Sequence, residues 1–409
     1  MMYLFLLVLF FFYNPFLFFF FFFFFSFISI NIYCWGGLFF FFDSFVFSLL
    51  ILMSLFILGV VIMSEKNFNL IILSEILVVM CVFFFIPVNI IMLYVFFEFS
   101  MFPILVMILG YGSQIEKISS SYYLIFYASL CSFPFLFVYF SSDLSFMLVY
   151  FDFFLSWEVV LILSLSFMMK FPVYFLHLWL PKARVEAPTT ASMLLAGLLL
   201  KLGTAGFMRI LGSLNFIHLN FWFILAFLGM ILASFCCIFQ SDSKSLAAYS
   251  SVTHMSFLLL SFLFMFMSSK TSSLMLMLSH GYTSTIMFYL IGEFYHSSGS
   301  RMIYYMNSFF NSSIFMVVVF SFVFLSNSGV PPSLSFVSEF ITISSGISFF
   351  FFSFILVFIY FVFSFYYSIY LITNCLMGKN LIFFNTWGLG FSIPLIFMMY
   401  NIFWITLFI

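Results

Sequence analysis

The sequence predicts an all-α, polytopic membrane protein, and three observations lead there. Hydrophobic residues make up 66% of the 409 and charged residues 6%, too few to cover a water-facing surface. Mean hydropathy is +1.32, and the apolar runs are about 20 residues long, the length that carries a helix across a bilayer core. Short alternating segments of the outer-membrane barrel type are missing from these runs. By the length rule the runs amount to about fourteen transmembrane helices.

Residues 1–30 are apolar throughout and read as one long span or, preferably, two short ones broken at Asn14-Pro15. Further spans fall near 45–63, 69–86, 89–110, 121–140, 155–176, 190–211, 220–239, 247–267 and 273–291. An interrupted span at 313–345 follows, then 349–373 and 388–408. The basic residues test this layout, because Lys and Arg collect on the untranslocated side. Lys66, Lys117, Lys182, Arg184, Lys244, Arg301 and Lys379 fall on one side, and only Arg209 and Lys270 on the other. The richer side is expected to be the matrix or cytoplasm, with both termini facing away from it.

A net charge of -1 without any basic run speaks against nucleic-acid binding. The six cysteines lie mostly in apolar runs without CxxC spacing. They read as small buried hydrophobes, so no metal or cofactor site is legible. No charge precedes Asp43, so neither a signal-peptide n-region nor an Arg-rich transit face is present. The 77 phenylalanines read as mutational bias towards T-rich codons, which lipid tolerates and which points to an organelle genome. Because no stretch rich in Pro, Gly or Ser divides the chain, residues 1–409 are expected to form one membrane domain.

The charges inside the spans carry the functional argument. A lysine near mid-bilayer costs at least about 2.5–3.5 kcal/mol, so it signals ion or proton movement by default. Lys201 lies near the centre of its span, with Gly197, Thr204 and Ala205 on the same helical face. Moving one charge against about 180 mV takes roughly 4 kcal/mol at about 2.3 kcal/mol per 100 mV. Burial and a nearby carboxylate compete over a lysine's proton on that same scale. Lys170 lies off-centre, so snorkelling to the interface fits it better than Lys201.

Glu98 sits mid-span in VFFEFSMFP, with Pro103 behind it to kink the helix. It is either a neutral bridge between helices or one half of an ion pair, for which Lys170 is the candidate partner. His254 and His280 occupy consecutive spans and titrate near neutrality; each is a relay or a helix-to-helix hydrogen bond. Glu339 follows the Pro331-Pro332 break and is the last intramembrane charge. Such a break must line protein or a water-filled cavity, since lipid leaves its backbone unsatisfied. A second break spans Pro172 to Pro188, and paired broken helices suggest two inverted repeats. Glu75 and Glu158 read as packing or interfacial residues, and Asp43, Glu65, Glu116, Asp143 and Glu293 as loop or interface residues. His177 and Lys182 lie where the chain leaves the membrane, a position suited to proton uptake.

The run KFPVYFLHLWLPKARVEAPTTASMLLAGLLLKLG, from Lys170 to Gly203, resembles the signature of the antiporter-like membrane subunits of respiratory complex I. FFEFSMFPILVMI, QSDSKSLAAYSSVTHMSF, SHGYTSTIMFYL and VPPSLSFVSEF match the same family in order and spacing across residues 89–345. The resemblance implies an antiporter-like fold with Glu98 and Lys170 paired at the input and Lys201 as central proton carrier. It further implies His254 and His280 as relays and Glu339 as the terminal carboxylate. NADH, FMN, iron-sulfur clusters and ubiquinone would belong to the assembled complex, with none bound by this chain. Partners would be other membrane-arm subunits, including neighbouring antiporter-like ones, and membrane lipids, and the location would be the mitochondrial inner membrane. Three departures stand out: Arg184 where many relatives carry His, GTAG from Gly203 where GGYG is common, and a short chain that suggests trimmed terminal spans. The same buried residues would also serve a cation/proton antiporter without redox coupling. A purely structural subunit would need the spans but not the charges.

Overall fold

The computed structural model describes residues 14–31, 45–87, 89–141, 156–210, 219–307, 314–347 and 351–378. Helices carry nearly all of them, and the extended structure recorded among them includes one isolated bridge between Asp242 and Met302. Among the described residues eight helices are long and apolar enough to cross a membrane, and four shorter apolar helices accompany them. The chain is a multi-pass membrane protein. The expected span at 388–408, Lys379, Asp43, Asp143 and residues 1–13 lie outside the described residues.

The chain packs as two units, Met1–Phe171 with Glu186–Ile217, and Pro172–Val185 with His218–Ile409. The first begins with α1 (Pro15–Asn31), where Pro15 takes the first helical position and Asn14 Oδ1 accepts the Phe16 N–H at 3.1 Å. The suspected break at Asn14-Pro15 is therefore a helix start. Helix α2 (Phe45–Ser64) turns through Glu65, whose carboxylate accepts the Lys66 and Asn67 N–H groups, into α3 (Phe68–Phe85). One span holds α4 (Ile90–Phe99) and α5 (Met101–Tyr111), parted at Ser100. Pro103 explains the parting: it offers no N–H to the Phe99 carbonyl, and its ring crowds that oxygen.

Helix α6 (Lys117–Ser141) precedes α7 (Trp157–Lys170), which ends six residues before the expected limit at 176. The residue before a proline avoids helical angles, and Phe171 before Pro172 is extended at φ -86, ψ 95. Lys170 thus becomes the last residue of its helix. The first unit closes with α9 (Thr189–Leu194), a π-helical turn (Leu195–Leu199) and α10 (Leu200–Ile210) in one continuous span.

The second unit holds α8 (Trp179–Glu186, all but its last residue), α11 (Leu219–Ile238), α12 (Ser243–Leu263), α13 (Met267–Ser298), α14 (Ile314–Asn327), α15 (Leu334–Ile347) and α16 (Phe351–Leu376). Helix α12 starts four residues earlier than hydropathy placed it, and α13 extends six residues before and seven after its expected span. Helix α12 is wrapped in protein over 94% of its apolar window, and Ser243 and Lys244 at its start are buried, so that end tolerates polar residues that a lipid-facing span would exclude; at the start of α13, Lys270 and Thr271 are exposed. The extension places Glu293 on α13 instead of in a loop. Gly299, in the left-handed region at φ 70, then stops α13.

Candidate functional site

In the first unit, Lys170 and Lys201 are both completely buried. The Lys170 ammonium donates to the Phe97 carbonyl, lies 3.3 Å from Ser100 Oγ and sits 3.4 Å above the Phe97 ring. Ser100 Oγ donates to the same carbonyl at 2.7 Å. The acceptor that holds the lysine lies three residues before the parting at Ser100. Half-buried Glu98 is the next residue, and its charge and that of Lys170 act on each other. The expected partners are neighbours, joined by contact through Phe97. Lys170 stands at a helix C-terminus, where exposed carbonyls favour a cation. Snorkelling is excluded by its burial.

Lys201 donates to the Ala196 carbonyl at 2.9 Å, across the π-helical turn. A π turn interrupts the i→i+4 ladder and is common at functional positions. Here it offers the buried ammonium a carbonyl five residues back. Two glycines seat this helix against α7. A Cβ on Gly203 would stand 2.6 Å from the Phe171 nitrogen and 3.0 Å from the Lys170 carbonyl carbon, and one on Gly206 would meet the Phe167 ring. The GTAG run thus brings the helix of Lys201 onto the end of α7 that carries Lys170.

In the second unit, His254 on α12 and His280 on α13 are buried with ring centroids 5.5 Å apart. The hydroxyl of Tyr360 on α16 lies 3.4 Å from His254 Nδ1. Glu339 is buried on α15, just past the break at 328–333. Gly329 in that break has φ 76, and a Cβ there would lie 3.0 Å from the Glu339 carboxyl carbon. The freed carbonyls of the break are satisfied by serines: Ser335 Oγ donates to Ser326 O at 2.6 Å, and Ser333 Oγ to Val330 O at 2.7 Å. Ser328 and Ser333 at the two ends of the break are buried, whereas Pro331 and Pro332 are exposed.

Gly329→Ala is therefore expected to cost about 1–2 kcal/mol in backbone strain and to push the Glu339 carboxylate from its seat. Proton translocation should fall while most of the protein still assembles, which parallel measurements of membrane-protein yield and proton flux would read.

Sequence reasoning missed several of these parts. Arg184, expected outside the membrane on the basic side, is fully buried. Its Nη1 donates to Ser251 Oγ at 2.6 Å, and its guanidinium lies 5.1 Å from the Phe288 ring centroid. Glu75 is buried, the packing position of the two expected for it, with Oε1 lacking a hydrogen-bond partner among the described residues. Glu158 sits exposed in the first turn of α7, an interfacial place. His177 stacks on Tyr174 with centroids 4.9 Å apart, while Lys182 is exposed. Arg301 Nη1 donates to the Val185 carbonyl, which ties two of the expected same-side segments together. Ser251, three residues before His254, could have been found as part of a polar face. Nothing in the sequence marked the carbonyl partners of the two lysines.

Residues 88–365, more than half of the chain, match the family described as NADH:quinone oxidoreductase/Mrp antiporter, TM. The chain is 69% identical over 383 residues to NADH-ubiquinone oxidoreductase chain 4 of Ascaris suum, covering 94% of each protein. The protein of the same name from Caenorhabditis elegans matches to the same extent, 69% over 383 residues and 94% of each. Among solved structures, a chain of respiratory complex I from Thermus thermophilus with bound NADH superposes with a TM-score of 0.81 at 20% identity, covering 87% of this chain and 80% of that one. A chain of the Mrp complex from Dietzia sp. DQ12-45-1b gives 0.72 at 17% identity over 82% and 66%. At those identities the structures establish a common fold.

Proposed function

Because the chain belongs to the NADH:quinone oxidoreductase/Mrp antiporter family, we propose that it is a proton-translocating membrane-arm subunit of respiratory complex I. The observation that carries this reading is the 69% identity to NADH-ubiquinone oxidoreductase chain 4 along 94% of the sequence. The buried cations fit it: ammonium groups at zero exposure carry a free-energy cost that marks them as candidates for moving charge. Electron transfer from NADH to ubiquinone takes place in other subunits, which hold FMN and the iron-sulfur clusters. The chain lies in the mitochondrial inner membrane among lipids and neighbouring antiporter-like subunits, and works as one membrane domain with its core at 89–345.

Within it, a change of charge in a neighbouring subunit loosens Glu98 from Lys170. Lys201 then gives up its proton, which passes by His254 and His280 to Glu339, and Lys201 reloads from the basic side. The Phe97 contact supports the first step, since it holds the ammonium at the residue next to Glu98. The 5.5 Å approach of the two imidazoles supports the third.

The family description also covers cation/proton antiporters, so the test must ask whether redox activity travels with the chain. Gently solubilised native membranes, separated on a native gel, should place it at very high mass together with NADH dehydrogenase activity. Recovery in a small particle without that activity, carrying sodium- or potassium-dependent proton flux, would favour the antiporter instead.

A further inference from the structure

Helix α16 looks like an ordinary lipid-embedded span, with a mean hydropathy of 2.1 over its apolar window. Its two faces say otherwise. Phe354, Phe358, Val362 and Phe365 are 45–61% exposed, whereas Tyr360, Ser364, Tyr367 and Ser368 are at most 1% exposed. These four hydroxyls are turned into the protein, and the outward face is mostly hydrocarbon. The serines satisfy their donors on their own helix, at Phe361 O and Phe365 O, so the phenols are the groups left to interact across the interior.

Tyr360 meets His254 Nδ1 at 3.4 Å, with its ring stacked on Phe257 at 5.6 Å. Tyr367, one heptad on, has a buried hydroxyl with no hydrogen-bond partner among the described residues. A buried hydroxyl in polar surroundings is normally completed by water. Thr253 lies beside both phenols, and its own proton is committed to Ser250 O at 2.6 Å. Its oxygen is therefore left as an acceptor. Glu339 is close enough for its charge to act on Tyr360 and Tyr367.

We propose that Tyr360 is a relay residue that carries the proton between His254 and Glu339, with water held by Tyr367 and Thr253 completing the path. This rests on the reading of His254 and Glu339 as relay and terminal acceptor. A phenol suits the task because one oxygen both accepts and donates. The Nδ1 proton of the His254 imidazolium passes to the Tyr360 oxygen as the Tyr360 proton leaves through water to the Glu339 carboxylate. His254 ends neutral, Glu339 ends protonated and Tyr360 is unchanged; rotation of the hydroxyl resets it.

The test compares Tyr360→Phe, Glu339→Gln and the exposed control Tyr366→Phe in the intact complex, sealed in vesicles. Protons translocated per NADH oxidised and the amount of assembled complex are both read. Tyr360→Phe keeps the ring stack and is expected to lower the ratio to the Glu339→Gln level, with native assembly and a native ratio in Tyr366→Phe. A native ratio in Tyr360→Phe beside a lowered one in Glu339→Gln would overturn the proposal and leave the wider reading intact. Native ratios in both would overturn that reading and the proposal with it. If Tyr360→Phe assembles poorly, Tyr360→His restores an exchangeable proton at the position. A native ratio there supports the relay, and a ratio at the Glu339→Gln level contradicts it.

Discussion

Gly203→Leu is expected to reduce the assembled protein severely. The added atoms would meet the Phe171 nitrogen at 2.6 Å and the Lys170 carbonyl carbon at 3.0 Å. Both are backbone atoms at the end of a buried helix, so neither can swing aside as a side-chain tip would. Overpacking of this kind costs about 1–3 kcal/mol, occasionally more, and alanine already creates the first clash. Function should suffer with stability, because moving the end of α7 pulls the Lys170 ammonium from the Phe97 carbonyl. The control is Gly110→Ala in α5, where a Cβ meets nothing within 4 Å. That change removes a flexible residue from a helix and should be neutral or stabilising by about 0.5–1 kcal/mol. Native-gel yields of the two variants read the difference; equal yields would refute the close-approach role of Gly203.

Lys201→Met is expected to do the reverse, sparing assembly and removing transport. Methionine is of similar length and fills irregular space, and it relieves an insertion cost of about 2.5–3.5 kcal/mol. The Ala196 carbonyl loses its ammonium donor, but an under-satisfied carbonyl is tolerated better than an unpaired charge. With no group left to take up and release a proton at the π turn, the branch should stop. The amount of complex on a native gel should match the unaltered protein while proton uptake on NADH addition falls.

Much of the fold was legible because hydropathy and bilayer length constrain membrane helices strongly. The spans at 45–63, 69–86, 89–110 and 220–239 fall within a residue or two of α2, α3, α4 with α5, and α11. Prolines marked the interruptions, and Pro172 set the end of α7. Hydropathy failed where a helix is wrapped in protein, as at the start of α12. There the solvent is other side chains, and polarity no longer marks a boundary.

Candidate site residues were legible for a similar reason. A charge in a hydrocarbon run stands out, so Glu98, Lys170, Lys201 and Glu339 declare themselves. Their partners do not. Phe97 O lies 73 residues from Lys170 in sequence, and a carbonyl has no residue type to recognise. The π turn before Lys201 has no known propensity signature beyond Gly197. Tyr360 was hidden by composition, since 77 Phe and 22 Tyr drown any single aromatic. What would have exposed it is the spacing of Tyr360, Ser364, Tyr367 and Ser368 on one face of an otherwise apolar helix.

The most direct measurement of the central claim is the number of protons translocated per NADH oxidised in sealed vesicles, compared between the native complex and Lys201→Met at matched amounts of assembled complex. The account predicts a lower ratio for Lys201→Met, with electrons still reaching quinone. An unchanged ratio would show that protons do not pass through this chain by Lys201, and the proposed route would have to be abandoned.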